Sequence, residues 1–261
     1  MQQSNTDERP EAQHKAVAII PARYASERLP GKPLAEIHGK PMVQHVYERV
    51  SRASLVTRVV VATDDERIAA AVRAFGGEAV MTPVDCKSGS DRIALVAESM
   101  HDIDIVVNVQ GDEPLIHPSM IDDTIRPLHE EPALRVCTVV REISDAAEVQ
   151  NPNVVKVVLD LDGFCLYFSR SPVPHVRGIR QEAWLAHQKF FKHFGLYVFR
   201  RSFLLRYAAM PPTPLEQSEK LEQLRILEHG YRMRAVITEY DSMPVDTRED
   251  LERVRTLVGA A

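Results

Sequence analysis

The sequence predicts an α/β fold: a doubly wound, mostly parallel sheet with a smaller antiparallel insertion. Three observations predict it. Short apolar runs alternate with helical patterns over the first 110 residues, the signature of crossover-connected parallel strands. The run Ile105–Val109 is almost wholly apolar, as a strand covered on both faces requires. The second half changes character, with strands separated by the hairpin signal Asp162-Gly163.

The elements follow in order. Ala16–Ile20 reads as a buried strand that stops at Pro21. Residues Pro41 to Ala53 read as a helix, with Met42, Val43, Val46, Tyr47 and Val50 on one face and Pro41 at its first position. Arg58–Ala62 is the next strand. Asp64 offers a cap to a helix marked by Ile68, Val72 and Phe75, which Gly76-Gly77 can end. Ser90 or Asp91 can cap the following helix, with Ile93, Val96, Ala97 and Met100 inward. Val154–Leu159, Phe164–Phe168, Leu196–Phe199 and Ala235–Thr238 read as strands. One helix is expected over Pro214–His229, ahead of Gly230. Thr247 caps the last helix with Asp250 three residues on, and Leu251, Val254 and Val258 dock it. Residues 171–188 are loop-like. Residues 1–15 read as a disordered tail and 16–261 as a single domain.

Composition excludes several classes. The net charge of −5, from 32 Lys+Arg against 37 Asp+Glu, disfavours a nucleic-acid or anionic-membrane partner. Cys86, Cys137 and Cys165 form neither a disulfide framework nor a zinc pattern. Reduced thiols point to the cytoplasm. The polar start, Met1 to His14, has no signal-peptide core, and no apolar run approaches the roughly 18 residues that span a bilayer.

Ligands of doubly wound sheets sit beyond the carboxyl ends of the strands, so the loops after Ile20, Ala62 and Val109 matter most. The first, IIPARYASERLPGKPL, sets Arg23, Arg28 and Lys32 in a turn-rich loop with only Glu27 opposing. Three cations at a strand end suit a polyphosphate; a solvated basic loop is the bland alternative. Neither GxGxxG nor a P-loop is present. The third, NVQGDEP, places Asp112 at a strand edge, where a carboxylate can hold Mg²⁺ or simply cap a turn. Asp246 precedes the last helix, and capping explains it as readily. If Asp112 and Asp246 meet, they form a hard-oxygen Mg²⁺ site with phosphate. Ser88-Gly89-Ser90-Asp91-Arg92 at a helix start suits an anion or a base edge, and ordinary capping explains it equally well.

These segments, together with VATDD, SGSDR, NPNVVKVVLD, LYFSR, KHFGLYVF, PLEQSEKLEQLR and VDTREDLERVR, resemble the 3-deoxy-D-manno-octulosonate (Kdo) cytidylyltransferases, in order from about Ala16 to the C-terminus. The resemblance implies a nucleotide-diphospho-sugar transferase-like fold, transfer of CMP from CTP to the anomeric hydroxyl of Kdo, release of pyrophosphate, a requirement for Mg²⁺, a role in lipopolysaccharide biosynthesis, and a homodimer formed through an insertion at roughly 155–205. It also implies the roles of particular residues. Pro21, Ala22, Arg23, Arg28, Lys32, Ser90, Asp91, Arg92 and Gln110 would bind nucleotide. Asp112 and Asp246 would hold Mg²⁺ and, with Arg23, Arg28 and Lys32, carry catalysis. Gln110, Arg170, His193, Tyr197, Glu216 and Gln223 would face the sugar acid. Taken alone, His193 reads as a polar side chain at a strand start, and Arg170 as one half of a surface ion pair. A transferase for another acidic sugar and a catalytically silent nucleotide-binding regulator are the alternatives.

Overall fold

The structure, a computed structural model, describes residues 15–25, 28–86 and 88–259. Glu27 and, apart from Lys15, the expected tail lie outside them. The chain opens with β1 (Ala16–Ala22), then a short antiparallel ribbon of β2 (Glu36–Ile37) and β3 (Lys40–Pro41), α1 (Met42–Val50) and β4 (Val56–Thr63). Next come α2 (Glu66–Ala74), β5 (Glu78–Met81), α3 (Gly89–Glu98), β6 (Ile105–Asn108), α4 (Pro118–Glu130) and β7 (Val136–Glu142). The second half contains α5 (Ala146–Gln150), β8 (Lys156–Leu159), β9 (Cys165–Ser169), β10 (Phe191–Arg200) and α6 (Arg201–Ala208). It ends with α7 (Pro214–Glu219), α8 (Leu224–Glu228), β11 (Arg234–Ile237) and α9 (Arg248–Gly259).

The main sheet runs β11-β7-β10-β6-β1-β4-β5. From β1 the chain winds outward through β4 and β5, then returns to place β6 on the other side of β1. That reversal makes the gap beyond β1 and β6 the switch point of the sheet. Among these strands β10 alone runs against its neighbours β6 and β7. The hairpin β8–β9, turned by Gly163 at φ 79°, joins the sheet by pairing with β10. The expected antiparallel insertion is thus an outgrowth of the main sheet.

Apolar periodicity places the helices. Val43, Val46, Val50, Met120, Ile121, Ile125 and Leu128 of α1 and α4 bury against one face of β1, β4 and β6. Ile93, Ala97, Phe203, Leu204, Leu224 and Ile226 of α3, α6 and α8 cover the other face. A smaller cluster of Leu29, Ile37, Met42, Val245, Leu251 and Val254 fastens α9 to the first loop. Trp184, Ile143, Val149 and Phe190 form a fourth cluster that anchors the loop-like 171–188 stretch.

Several boundaries differ from expectation for local reasons. β1 continues through Pro21, because β6 stops pairing at Ile19↔Asn108 and no partner awaits the missing N–H. Asp65 rather than Asp64 caps α2, accepting from Arg67 N at 2.9 Å. Ser88 rather than Ser90 or Asp91 caps α3, accepting from Asp91 N at 3.1 Å. The helix expected over Pro214–His229 is two helices, because Lys220 adopts a left-handed φ of 54° between them. Thr247 and Asp250 do form a reciprocal cap at α9, at 3.2 and 2.9 Å.

Candidate active site

The loops after β1 and β6 and the start of α3 meet at the switch point. A Cβ on Gly111 would stand 2.8 Å from the Pro21 carbonyl oxygen, and one on Gly89 would stand 3.4 Å from Pro21 Cγ and 3.9 Å from Gln110 Oε1. Only glycine permits the first approach. Opposite them, β10 loses register between His193 and Tyr197. There Gly195 leaves room for Gln110, whose Cγ a Cβ would meet at 3.0 Å. Pro21, Ala22 and Gln110 therefore share one wall.

A cleft of about 710 Å³ opens beyond this wall. Arg28, Gln110, Asp112, His193 and Asp246, all singled out in the sequence, line it. The two aspartates come together because the α9 cluster pulls the C-terminal loop onto the first loop, and Val245 N–H donates to the Asp112 carbonyl at 2.9 Å. Lys32 Nζ donates to Asp112 Oδ2 at 2.6 Å and Asp246 Oδ1 at 3.2 Å. Arg28 meets Asp246 Oδ2 at 3.0 Å. Burial pulls the Lys32 ammonium down, but the charges and hydrogen bonds of Asp112 and then Asp246 outweigh it and hold the group above its ordinary value. Arg23 is exposed on the same loop.

The other singled-out residues do not line this cleft. Arg92 is internal: its guanidinium donates to Asp64 Oδ2 at 2.8 Å and to Thr82 Oγ1. It braces the loop after β4 against α3. Ser90 is 1% exposed and donates to Glu222 Oε1 at 2.9 Å, while Asp91 is half-buried in the first turn of α3. Arg170 ties the 151–153 loop to α7, donating to Glu219 O at 2.8 Å and Pro152 O at 3.0 Å. Tyr197 is buried in the core and stacked on Phe199. Glu216 closes a capping box with Thr213 and binds Arg225 at 2.8 and 2.5 Å. Gln223 is buried at the start of α8.

His193 sits at the cleft with Nε2 2.9 Å from Thr138 Oγ1 and its ring edge-on to Phe168. Burial pushes it down to about 3, so it is neutral near pH 7. Unfolded histidine titrates near 6.5. Between about pH 3 and 6.5 the unfolded chain takes up a proton that the folded chain refuses, so stability falls as pH drops through that window. The variant His193→Gln is expected to flatten the acid-side decline in melting temperature. An unchanged slope would contradict the assignment.

Two features escaped the sequence reading. Glu113, beside Asp112, is buried, accepts from Ser242 Oγ, and is raised to about 8 chiefly by burial. It adds little charge to the pair. Lys192, adjoining His193, also lines the cleft. Both stand inside motifs already conspicuous in the sequence, but their partners, Ser242, Asp241 and Glu148, lie far along the chain.

The fold and this cleft define a nucleotidyltransferase-like protein. A family model described as Cytidylyltransferase matches residues 17–237. The 3-deoxy-manno-octulosonate cytidylyltransferase of Geotalea uraniireducens (strain Rf4) is 57% identical over 245 residues, covering 92% of this chain and 97% of the relative. That of Solibacter usitatus (strain Ellin6076) is 51% identical over 247 residues, covering 95% and 96%. A solved structure of CMP:2-keto-3-deoxy-manno-octonic acid synthetase complexed with CTP superposes with a TM-score of 0.88 at 45% identity, covering 94% of this chain and 99% of that one. The chain belongs to the cytidylyltransferase family and, within it, to the 3-deoxy-manno-octulosonate cytidylyltransferases.

Proposed function

We propose that this protein transfers CMP from CTP to the anomeric hydroxyl of Kdo, giving CMP-Kdo and pyrophosphate, with Mg²⁺ as cofactor. The observation that carries the reading is the convergence of Asp112 and Asp246 on one cationic point at the switch point of the sheet. The relatives' names and the CTP complex of the solved neighbour support the substrates.

The donor set fits Mg²⁺. Two carboxylate oxygens that reach a single ammonium can equally reach one hard cation, and among the described residues no larger cluster of His, Cys, Asp or Glu gathers to hold a metal. Phosphate oxygens and water complete such a shell. Bound by Asp112 and Asp246, Mg²⁺ would supply charge neutralisation at the phosphate and a lowered pKa for the attacking hydroxyl. The protein's own groups do the rest. Arg28 and Lys32, with Arg23 on the same loop, set positive charge where pyrophosphate departs. Gln110 and His193, neutral donors or acceptors on the cleft wall, orient the sugar without adding charge. Aligning a crowded hemiketal hydroxyl with the α-phosphorus is the remaining task of the cleft walls.

The protein is further read as a cytoplasmic homodimer that supplies activated Kdo for lipopolysaccharide biosynthesis. No described helix is long and apolar enough to cross a membrane, and Leu161 and Leu166 stand exposed on the β8–β9 hairpin, within the segment assigned to dimerisation. The deciding assay supplies CTP, Kdo and Mg²⁺ and measures pyrophosphate, then replaces CTP with UTP, ATP and GTP. Release with CTP and Kdo is expected; its absence, or equal rates with other nucleotides, overturns the reading.

A further inference from the structure

Three cations stand in one row across the sheet. Lys192 on β10 lies directly opposite Arg141 on β7 and Lys156 on β8. Like charges facing each other across strands repel, so the row needs counter-charge. Glu148 supplies one carboxylate, 2.7 Å from Lys192 Nζ. Asp241 supplies the other, 3.1 Å from Lys192 Nζ and paired with Arg141. Lys156 meets no carboxylate at hydrogen-bond distance among the described residues; it donates to the carbonyls of Asn151, Val154 and Arg170. Next to it the Glu219 carboxylate accepts from the Arg170 backbone N–H at 2.9 Å, and its charge favours the protonated Lys156. Lys192 shares Asp241 with Arg141, and of the three cations it is the one that lines the cleft.

The cations lining the cleft among the described residues are Arg28, Lys192 and Arg253. Arg28 is held by Asp246 at the phosphate end, and Arg253 projects from α9 beside Asp250. Lys192 lines the cleft together with Asn151, Asn153, Val154, Val155 and His193. Its side chain is only 10% exposed, against 49% for Asp241. A partly dehydrated ammonium binds a carboxylate more strongly than a surface one does. The exposed Asp241 is the partner that can yield.

We propose that Lys192 receives the carboxylate of the 2-keto sugar acid, with Glu148 fixing the ammonium and Asp241 holding its place until the acid arrives. This rests on the sugar-acid activation proposed above. It assigns specificity for an acid over a neutral sugar to one side chain outside the phosphate and metal positions.

The test compares Kdo with its C1 carboxamide as acceptors for wild type, Lys192→Met, Lys192→Arg and Asp241→Asn, with pyrophosphate release as readout. Wild type should prefer the acid. Lys192→Met should raise the KM for Kdo by at least about tenfold, lose the preference for the acid, and leave the KM for CTP within about twofold. Lys192→Arg should restore the preference, and Asp241→Asn, which keeps Lys192 paired to Glu148, should lower the KM for Kdo. Unchanged acid preference in Lys192→Met, or a raised KM for Kdo in Asp241→Asn, overturns the proposal. A wild type that releases no pyrophosphate overturns the functional reading itself. If Lys192→Met fails to fold, the Asp241→Asn result decides alone.

Discussion

Replacing Asp112 or Asp246 with asparagine is expected to slow CMP transfer by at least about a thousandfold with little loss of stability. The two effects separate because of where the carboxylates sit. Each is partly exposed, with side chains 26% and 38% accessible. Each shares the Lys32 ammonium with the other, so removing one leaves that cation paired. Partly exposed pairs of this kind contribute about 0–1 kcal/mol. Asparagine keeps the shape and one acceptor oxygen, so the Val245–Asp112 backbone contact and the α9 cluster persist. What disappears is the negative charge proposed to hold a phosphate-bound cation, which a neutral amide replaces poorly. Steady-state rates at saturating Mg²⁺, alongside thermal melts, check this. Near-wild-type turnover in either variant would remove that residue from the chemistry.

Glu216→Ala should have the opposite profile: a large loss of stability, by about 3–5 kcal/mol, without a selective change in the KM for the sugar. Glu216 and Arg225 are 12% and 8% exposed and joined by two hydrogen bonds. The Glu216 hydrogen bond is the main reason the Arg225 guanidinium is held further above its already high value. Truncation leaves that guanidinium buried under Tyr207 without its carboxylate, and it deletes the capping box at Thr213. The double variant Glu216→Ala, Arg225→Met should recover part of the loss, since it removes the stranded charge. Denaturant titration of the three variants measures it. A stable Glu216→Ala protein with a raised sugar KM would instead support the sugar-facing role that the resemblance implies.

The contrast between these residues shows what the sequence could and could not disclose. β1, β4 and β6 announce themselves as apolar runs, and the loops after β1 and β6 carry Arg23, Arg28, Lys32 and Asp112. Local chemistry was legible there because strand, turn and charge are adjacent in the chain. β7 and α4 were not foreseen. The helix opens on a histidine cap and contains Pro127, which reads as a breaker, and the short run Val136–Val140 has no periodicity that separates strand from helix. Pairing over distance was invisible for the same reason. That Arg92 belongs to Asp64 and Glu216 to Arg225 depends on packing, whereas a motif shows only a charged residue in a charged neighbourhood. The meeting of Asp112 and Asp246 depends on Leu29, Ile37, Met42, Leu251 and Val254 sharing one small core, and no spacing along the chain encodes it.

Manganese binding followed by electron paramagnetic resonance in the presence of CTP tests the shared cation site most directly. The wild-type protein with CTP should bind Mn²⁺, and both Asp112→Asn and Asp246→Asn should weaken that binding by at least about tenfold while remaining folded. Mn²⁺ affinity equal to wild type in both folded variants would mean that the two aspartates do not grip a common ion, and the account of the cleft would fall.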